Sequence, residues 1–221
     1  MNLNKKTHWE QIYTTRNPDQ VSWTQHVPAT SLDFIHSFGL SKTSKIIDIG
    51  GGDSKLVDYL LEEGFEDVTV LDISEAALAK AKIRLGSKAE QVKWVVSDIA
   101  DFKPIENYDV WHDRATFHFL TKESQVKAYM RIAGKSVKQY MVVGTFSENG
   151  PEMCSGLPVR QYTEQQLENQ LLVDFKKIKC ITEDHITPFR TKQNFLFCSF
   201  KRQWIIYPLP PNVSAMSEKS R

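Results

Sequence analysis

The sequence predicts a doubly wound α/β fold built on a mostly parallel sheet. Short apolar runs alternate with amphipathic segments of roughly 10–15 residues, the pattern of strands joined by crossover helices. The first run, Lys45–Lys55 (KIIDIGGGDSK), passes directly into three glycines and then a helix. The last two runs follow one another with no helical segment between them, which marks an antiparallel pair.

Ile46, Ile47 and Ile49 make the first strand, interrupted by Asp48. Gly50, Gly51 and Gly52 tolerate positive φ and let a ligand lie against bare backbone. Asp53 or Ser54 caps the helix that begins at Leu56 and stops at Gly64. A strand, a glycine turn and a helix are how doubly wound folds hold a nucleotide-like ligand. The second run, Val68–Leu71, ends in Asp72, near the roughly 20-residue offset at which an acid receives a ribose diol. The helix after it is capped by Ser74 and stopped by Gly86. The third run, Val92–Val96, leads into Ser97, Asp98 and Ile99. All three strands thus end in polar ligand candidates, on the edge where open α/β sheets bind.

The dinucleotide fingerprint needs a third glycine where Lys55 stands, and Asp53 would face a pyrophosphate. Both disfavour NAD, so an oxidoreductase is the third reading. A sulfonium amino-acid nucleoside suits these acids better, having a cation, an ammonium and a ribose diol but no phosphate. The runs IIDIGGG, VLDIS and SDIADF resemble three motifs of class I S-adenosylmethionine-dependent methyltransferases. These are motif I, the acidic end of the second strand and the third-strand acid, within a resemblance over about residues 40–202. The resemblance implies a Rossmann-like seven-stranded sheet, its reversed last strand inserted beside the fifth, and S-adenosyl-L-methionine as cofactor. It further implies that Asp48 and the Gly50–Gly52 turn hold the amino-acid end and that Asp72 takes both ribose hydroxyls. Ile73 would pack on the adenine, and Asp98 would receive its amino group with Ile99 alongside.

In residues 1–30, Trp9, Tyr13 and Trp23 sit among polar residues, and HWEQIY forms a short helix with Trp9 and Tyr13 on one face. These aromatics either anchor an arm to the body or form a lid. A likeness of HWEQIY and VSWTQ to small-molecule members of the superfamily implies the lid, which brings Tyr13 to the cofactor. Leu32–Leu40 is a helix beside the first strand, and Tyr108–Asp113 is the fourth strand. The segment WHDRATFHFL resembles that of thiopurine-methyltransferase-like enzymes, where an aspartate–arginine pair follows the strand. That likeness makes Asp113 and Arg114 the candidate catalytic groups; the other reading is an exposed ion pair. His118 is the candidate general base, because an unperturbed histidine titrates near neutral pH, or else a structural histidine.

Thr121 caps the next helix, which runs to Val137, and Gln139–Phe146 is the fifth strand, with Gly144 allowing a close approach by substrate. The long loop Ser147–Tyr162 carries Cys154 and Arg160 and is positioned to cover the substrate. Thr163 caps the last helix, and Phe175–Ile186 pairs with Asn194–Lys201. Residues 1–202 read as one domain with 1–30 as its lid, and 203–221 as a flexible tail containing Pro208, Pro210 and Pro211.

Charged residues make up 25% of the chain and hydrophobic ones 41%, as in ordinary globular proteins. A net charge of +1 gives no reason to expect a nucleic-acid partner. No apolar run approaches the ~20 residues of a membrane span, and MNLNKKTHWE lacks a signal-peptide core. Cys154, Cys180 and Cys198 are odd in number and widely spaced, which predicts neither a disulfide framework nor a metal site, and a reducing cytoplasm. Cys180 and Cys198 are expected as core residues. The function expected is methyl transfer to a small-molecule acceptor. The alternatives are a protein lysine acceptor or a non-catalytic cofactor-binding partner subunit. Nothing in the sequence fixes an oligomeric state.

Overall fold

The computed structural model describes residues 5–203. The expected tail lies, from residue 204 onward, outside the described residues. The helices are α1 (Lys5–Thr15), α2 (Ala29–His36), α3 (Leu56–Glu62), α4 (Glu75–Leu85), α5 (Glu123–Ser136) and α6 (Glu164–Leu171). The strands are β1 (Lys45–Ile49), β2 (Asp67–Asp72), β3 (Val92–Val96), β4 (Tyr108–Arg114), β5 (Val137–Phe146), β6 (Met153–Cys154), β7 (Leu157–Pro158), β8 (Phe175–Ile186) and β9 (Lys192–Arg202).

Seven strands form one sheet in the order β3-β2-β1-β4-β5-β9-β8. The first five run parallel, β9 runs antiparallel to β5, and β8 antiparallel to β9. The order reverses at β1, so the carboxyl ends of β1 and β4 open a crevice between them. Strand alternation assigns each residue to a face. Ile47, Ile49 and Trp111 join the cluster that α5 and α6 cover with Tyr129, Ile132, Leu167 and Leu171. Ile46, Val70 and Val110 join the cluster covered by Leu32 and Ile35 of α2, Leu56 and Leu60 of α3, and Leu78 of α4. Asp48 and His112 are in register across β1 and β4, on the same side as Ile46 and Val110. Asp113 and Ile49 share the opposite side.

Ser74 Oγ accepts a hydrogen bond from Ala77 N (3.2 Å), and Thr163 with Gln166 forms a reciprocal capping box. Three expected details differ. The N-cap of α5 is Lys122 rather than Thr121, because Gln125 Oε1 reaches back to Lys122 N (3.1 Å). The N-cap of α3 is Lys55, while Ser54 Oγ accepts from Leu56 N (3.2 Å). The close approach at Gly144 is made by the Phe197 ring, only 2.5 Å from where a Cβ would stand.

The 147–162 loop contains the small β6–β7 hairpin, with Ser155 and Gly156 at its turn in the left-handed region (φ 53° and 78°). Cys180 and Cys198 do not remain separate core thiols. They are directly opposed on β8 and β9, with Cα atoms 4.1 Å apart, and are joined as a disulfide. Hairpin register, which spacing alone does not reveal, brings them together. Cys154 is free and buried. No described helix is long and apolar enough to cross a membrane, and no described cluster of histidine, cysteine or acidic residues could hold a metal ion.

Candidate active site

A cavity of about 490 Å³ opens over the carboxyl ends of β1, β2, β3 and β4. Helix α1 lies across it. Glu10 fastens that helix to the start of α4 by accepting from Ser74 Oγ (2.8 Å) and Ala76 N (3.0 Å). Lys5 Nζ fastens its first turn on Phe119 O (2.7 Å). Trp9 packs edge-on against Trp23 (5.5 Å) and Phe119 (5.1 Å), so the N-terminal aromatics wall the cavity.

The glycine turn forms one side of this space. Gly50 has φ +67° and a Cβ there would collide with Thr116 Oγ1. A Cβ on Gly51 would meet Asp48 Oδ2 at 2.6 Å, and one on Gly52 would meet Asp72 Oδ2 at 2.9 Å and the Tyr13 hydroxyl at 3.0 Å. The turn is therefore closed from below by side chains as well as needing positive φ. Arg84 braces it. Its guanidinium donates to Asp58 Oδ1 and Oδ2 (2.9 Å each), to Asp53 O (3.0 Å) and Ser54 O (2.8 Å), and pairs with the Asp53 carboxylate.

Gly50 and Gly51 border the cavity, as do Asp72 and Ile73 at the end of β2. Asp98, Ile99 and Tyr13 border it too. Asp72 Oδ1 accepts from Ser74 N (2.8 Å), yet burial dominates and pushes its carboxyl up to about 7. Hydroxyl donors from a ligand would offset that desolvation. Asp48, beneath the turn, and Gly52 within it do not border the cavity. Asp48 is buried, and its Oδ1 is 2.7 Å from His112 Nδ1.

The three expected catalytic groups separate. Arg114 borders the cavity, where Nη1 donates to Trp23 O (3.0 Å) and the guanidinium lies 4.8 Å from the Phe195 ring centre. Its Nε and Nη2 have no hydrogen-bond partner, and burial lowers its pKa to about 10. Asp113 points to the other face, where it accepts from Tyr129 Oη (2.8 Å), Thr116 N (3.0 Å) and Phe117 N (3.2 Å). It neither pairs with Arg114 nor reaches the cavity, because adjacent strand residues diverge. His118 is fully buried outside the cavity wall, stacked on Phe146, and burial with the Arg114 charge lowers its pKa to about 3. It is a packing group rather than a neutral-pH base.

Sequence reading missed His112, Ser31 and Arg84. His112 Nε2 is 2.9 Å from Ser31 Oγ, and both residues border the cavity. For His112 alone a signal was available: it and Asp48 are polar interruptions in two apolar strands, though the register that pairs them is not written in the spacing.

A family model described as a methyltransferase domain matches residues 46–138. Residues 46–138 thus carry a methyltransferase domain. This methyltransferase domain is similar to a SAM-dependent methyltransferase from Anabaena variabilis (TM-score 0.72, 15% identity, 91% of this chain and 96% of the other). It is also similar to a 1,6-didemethyltoxoflavin-N1-methyltransferase from Burkholderia thailandensis (TM-score 0.64, 17% identity, 90% and 84%). At these identities the likeness is one of fold. In sequence it is 27% identical over 124 residues to a mouse eEF1A lysine and N-terminal methyltransferase. That match takes in 54% of this chain and 17% of the mouse protein.

The residues fit S-adenosylmethionine. The cavity offers bare glycine backbone, the desolvated acid Asp72 at the end of β2, apolar Ile73 and Ile99, and aromatic walls.

Proposed function

We propose that the chain transfers the methyl group of S-adenosylmethionine to a nucleophile on a small molecule. The observation that carries the acceptor size is the covered cavity. Its volume of about 490 Å³ is that of a small-ligand site, and α1 is tied across it at its first residue, Lys5, and at its middle, Glu10. When bound, the cofactor supplies a methyl already activated by its sulfonium. Asp72 takes the ribose hydroxyls, the Gly50–Gly51 backbone takes the amino-acid end, and Asp98 with Ile73 and Ile99 takes the adenine. Tyr13 and the 1–30 segment act as a lid that excludes water. Residues 1–202 act as one unit in this reading.

The acceptor half is walled by Trp23, Phe146, Cys154 and Phe195, with Arg114 as its cation. The unpaired Nε and Nη2 favour an acceptor bearing an anionic or strongly accepting group. Cys154 is held as a neutral thiol, since burial pushes its pKa up to about 11. The proposed compartment is the cytoplasm, on composition. The Cys180–Cys198 disulfide is the feature that speaks for oxidising surroundings.

The test is incubation of the purified chain with methyl-labelled S-adenosylmethionine and a panel of thiols, carboxylic acids, amines and alcohols, beside a protein extract. Label in a small product is the expected outcome. Label in protein lysine would favour the second reading, which the match to the mouse enzyme supports. Cofactor binding with no labelled product would favour the non-catalytic partner.

A further inference from the structure

Methyl transfer to a protonated nucleophile needs a group that takes the proton, and neither Asp113 nor His118 reaches the cavity. His112 is the one histidine that borders it among the described residues. Other titratable groups at the wall are engaged elsewhere. Arg114 stays cationic, the Cys154 thiol and Tyr13 hydroxyl are pushed up by burial, Asp53 is paired with Arg84, Lys5 and Lys80 donate to the backbone oxygens of Phe119 and Arg16, and Asp72 and Asp98 occupy the ribose and adenine ends.

Three buried residues from three elements meet here: Ser31 on α2, His112 on β4 and Asp48 on β1. Ser31 Oγ to His112 Nε2 is 2.9 Å, and His112 Nδ1 to Asp48 Oδ1 is 2.7 Å. A carboxylate only accepts, so Nδ1 carries the proton toward Asp48 and Nε2 accepts from the serine hydroxyl. We propose that Ser31, His112 and Asp48 form a proton relay at the cavity wall, with Ser31 receiving the acceptor's proton. This rests on the methyltransferase reading above.

In that step the acceptor atom bonds to the methyl carbon, and the carbon–sulfur bond breaks with its electron pair left on sulfur. The acceptor proton passes to Ser31 Oγ as the serine proton passes to His112 Nε2. The imidazolium then faces the Asp48 carboxylate until solvent takes its proton. Ser31 is the catalytic residue; His112 and Asp48 act through it. The charged and titratable groups around the relay include Asp113 and Arg114 on β4, Asp72 at the end of β2, Glu183 on β8 and Cys154 on β6, the last two interacting with Arg114. An acceptor served by this relay is protonated at neutral pH, such as an alcohol or an alkyl thiol.

The same relay makes Ser31 nucleophilic, which gives a test that needs no acceptor. The purified chain is treated with diisopropyl fluorophosphate and Ser31 modification is followed by peptide mass spectrometry. Ser31 is expected to react with a rate that rises through a single ionisation as pH increases. His112→Gln should slow it about 100-fold and Ser31→Ala should remove the modified peptide. Imidazole added to His112→Gly should restore part of the rate. An unmodified Ser31, a flat pH dependence in the wild-type protein, or equal rates with and without His112 would overturn the proposal. If Ser31 reacts as expected but no acceptor is methylated, the methyl-transfer reading fails separately.

Discussion

The Tyr129 hydroxyl donates a 2.8 Å hydrogen bond to Asp113 Oδ2, on the face of the sheet away from the cavity. Asp113 also accepts two backbone N–H groups of the turn that follows β4. Its work is to hold that turn, on which Thr116 packs under Gly50. Asp113→Ala leaves these donors unpaired and is expected to cost about 2–4 kcal/mol of stability. Burial raises the Asp113 carboxyl to about 7, so between about pH 4 and 7 the folded state binds more protons than the unfolded one. Stability of the ligand-free protein should therefore fall as pH rises through that window. Asp72 acts in the same direction. Thermal unfolding across pH checks this, and Asp72→Asn should flatten the slope.

His118 stacks on Phe146 with ring centres 4.1 Å apart and planes 10° apart, and neither ring nitrogen has a partner. Replacing it by phenylalanine removes two buried polar atoms without emptying the site. His118→Phe should keep stability within about 1 kcal/mol of the wild-type value or raise it. The pH–rate profile should not change. Loss of a neutral-pH ionisation in this variant would show that His118 is a base after all.

Arg84 ties Asp53, Ser54 and Asp58 together behind the glycine turn. Arg84→Gln should loosen the turn and weaken S-adenosylhomocysteine binding about tenfold, at a stability cost of about 1–3 kcal/mol. Titration calorimetry beside denaturant unfolding separates the two effects.

The disulfide joins residues 18 apart at the outer edge of the sheet. By loop entropy its reduction, or Cys198→Ser, should lower stability by about 3 kcal/mol. Urea unfolding with and without a reductant measures this. Cofactor affinity should stay constant, because β8 and β9 lie on the far side of β5 from the glycine turn.

The sheet and its reversed strand were legible because each rests on local pattern: apolar runs, a glycine turn at Gly50–Gly52, and two strands without a helix between them. That Asp72 and Asp98 border the cavity was legible for the same reason, since they follow their strands directly. The wall at the end of β4 was not. Asp113 and Arg114 are neighbours in sequence, but strand alternation sends them to opposite faces. The Ser31–His112–Asp48 contact and the Cys180–Cys198 bond depend on register between distant segments. His118 looked reactive from residue type alone, and only its burial removes that role.

The most direct measurement is calorimetric titration of the purified chain with S-adenosylhomocysteine and with NADH, repeated on Asp72→Ala. Binding of S-adenosylhomocysteine alone is the expected result, weakened by about 1–3 kcal/mol in the variant. Wild-type affinity should also fall below about pH 7 as Asp72 takes up its proton. Binding of NADH instead, or S-adenosylhomocysteine affinity indifferent to Asp72, would contradict the methyltransferase reading.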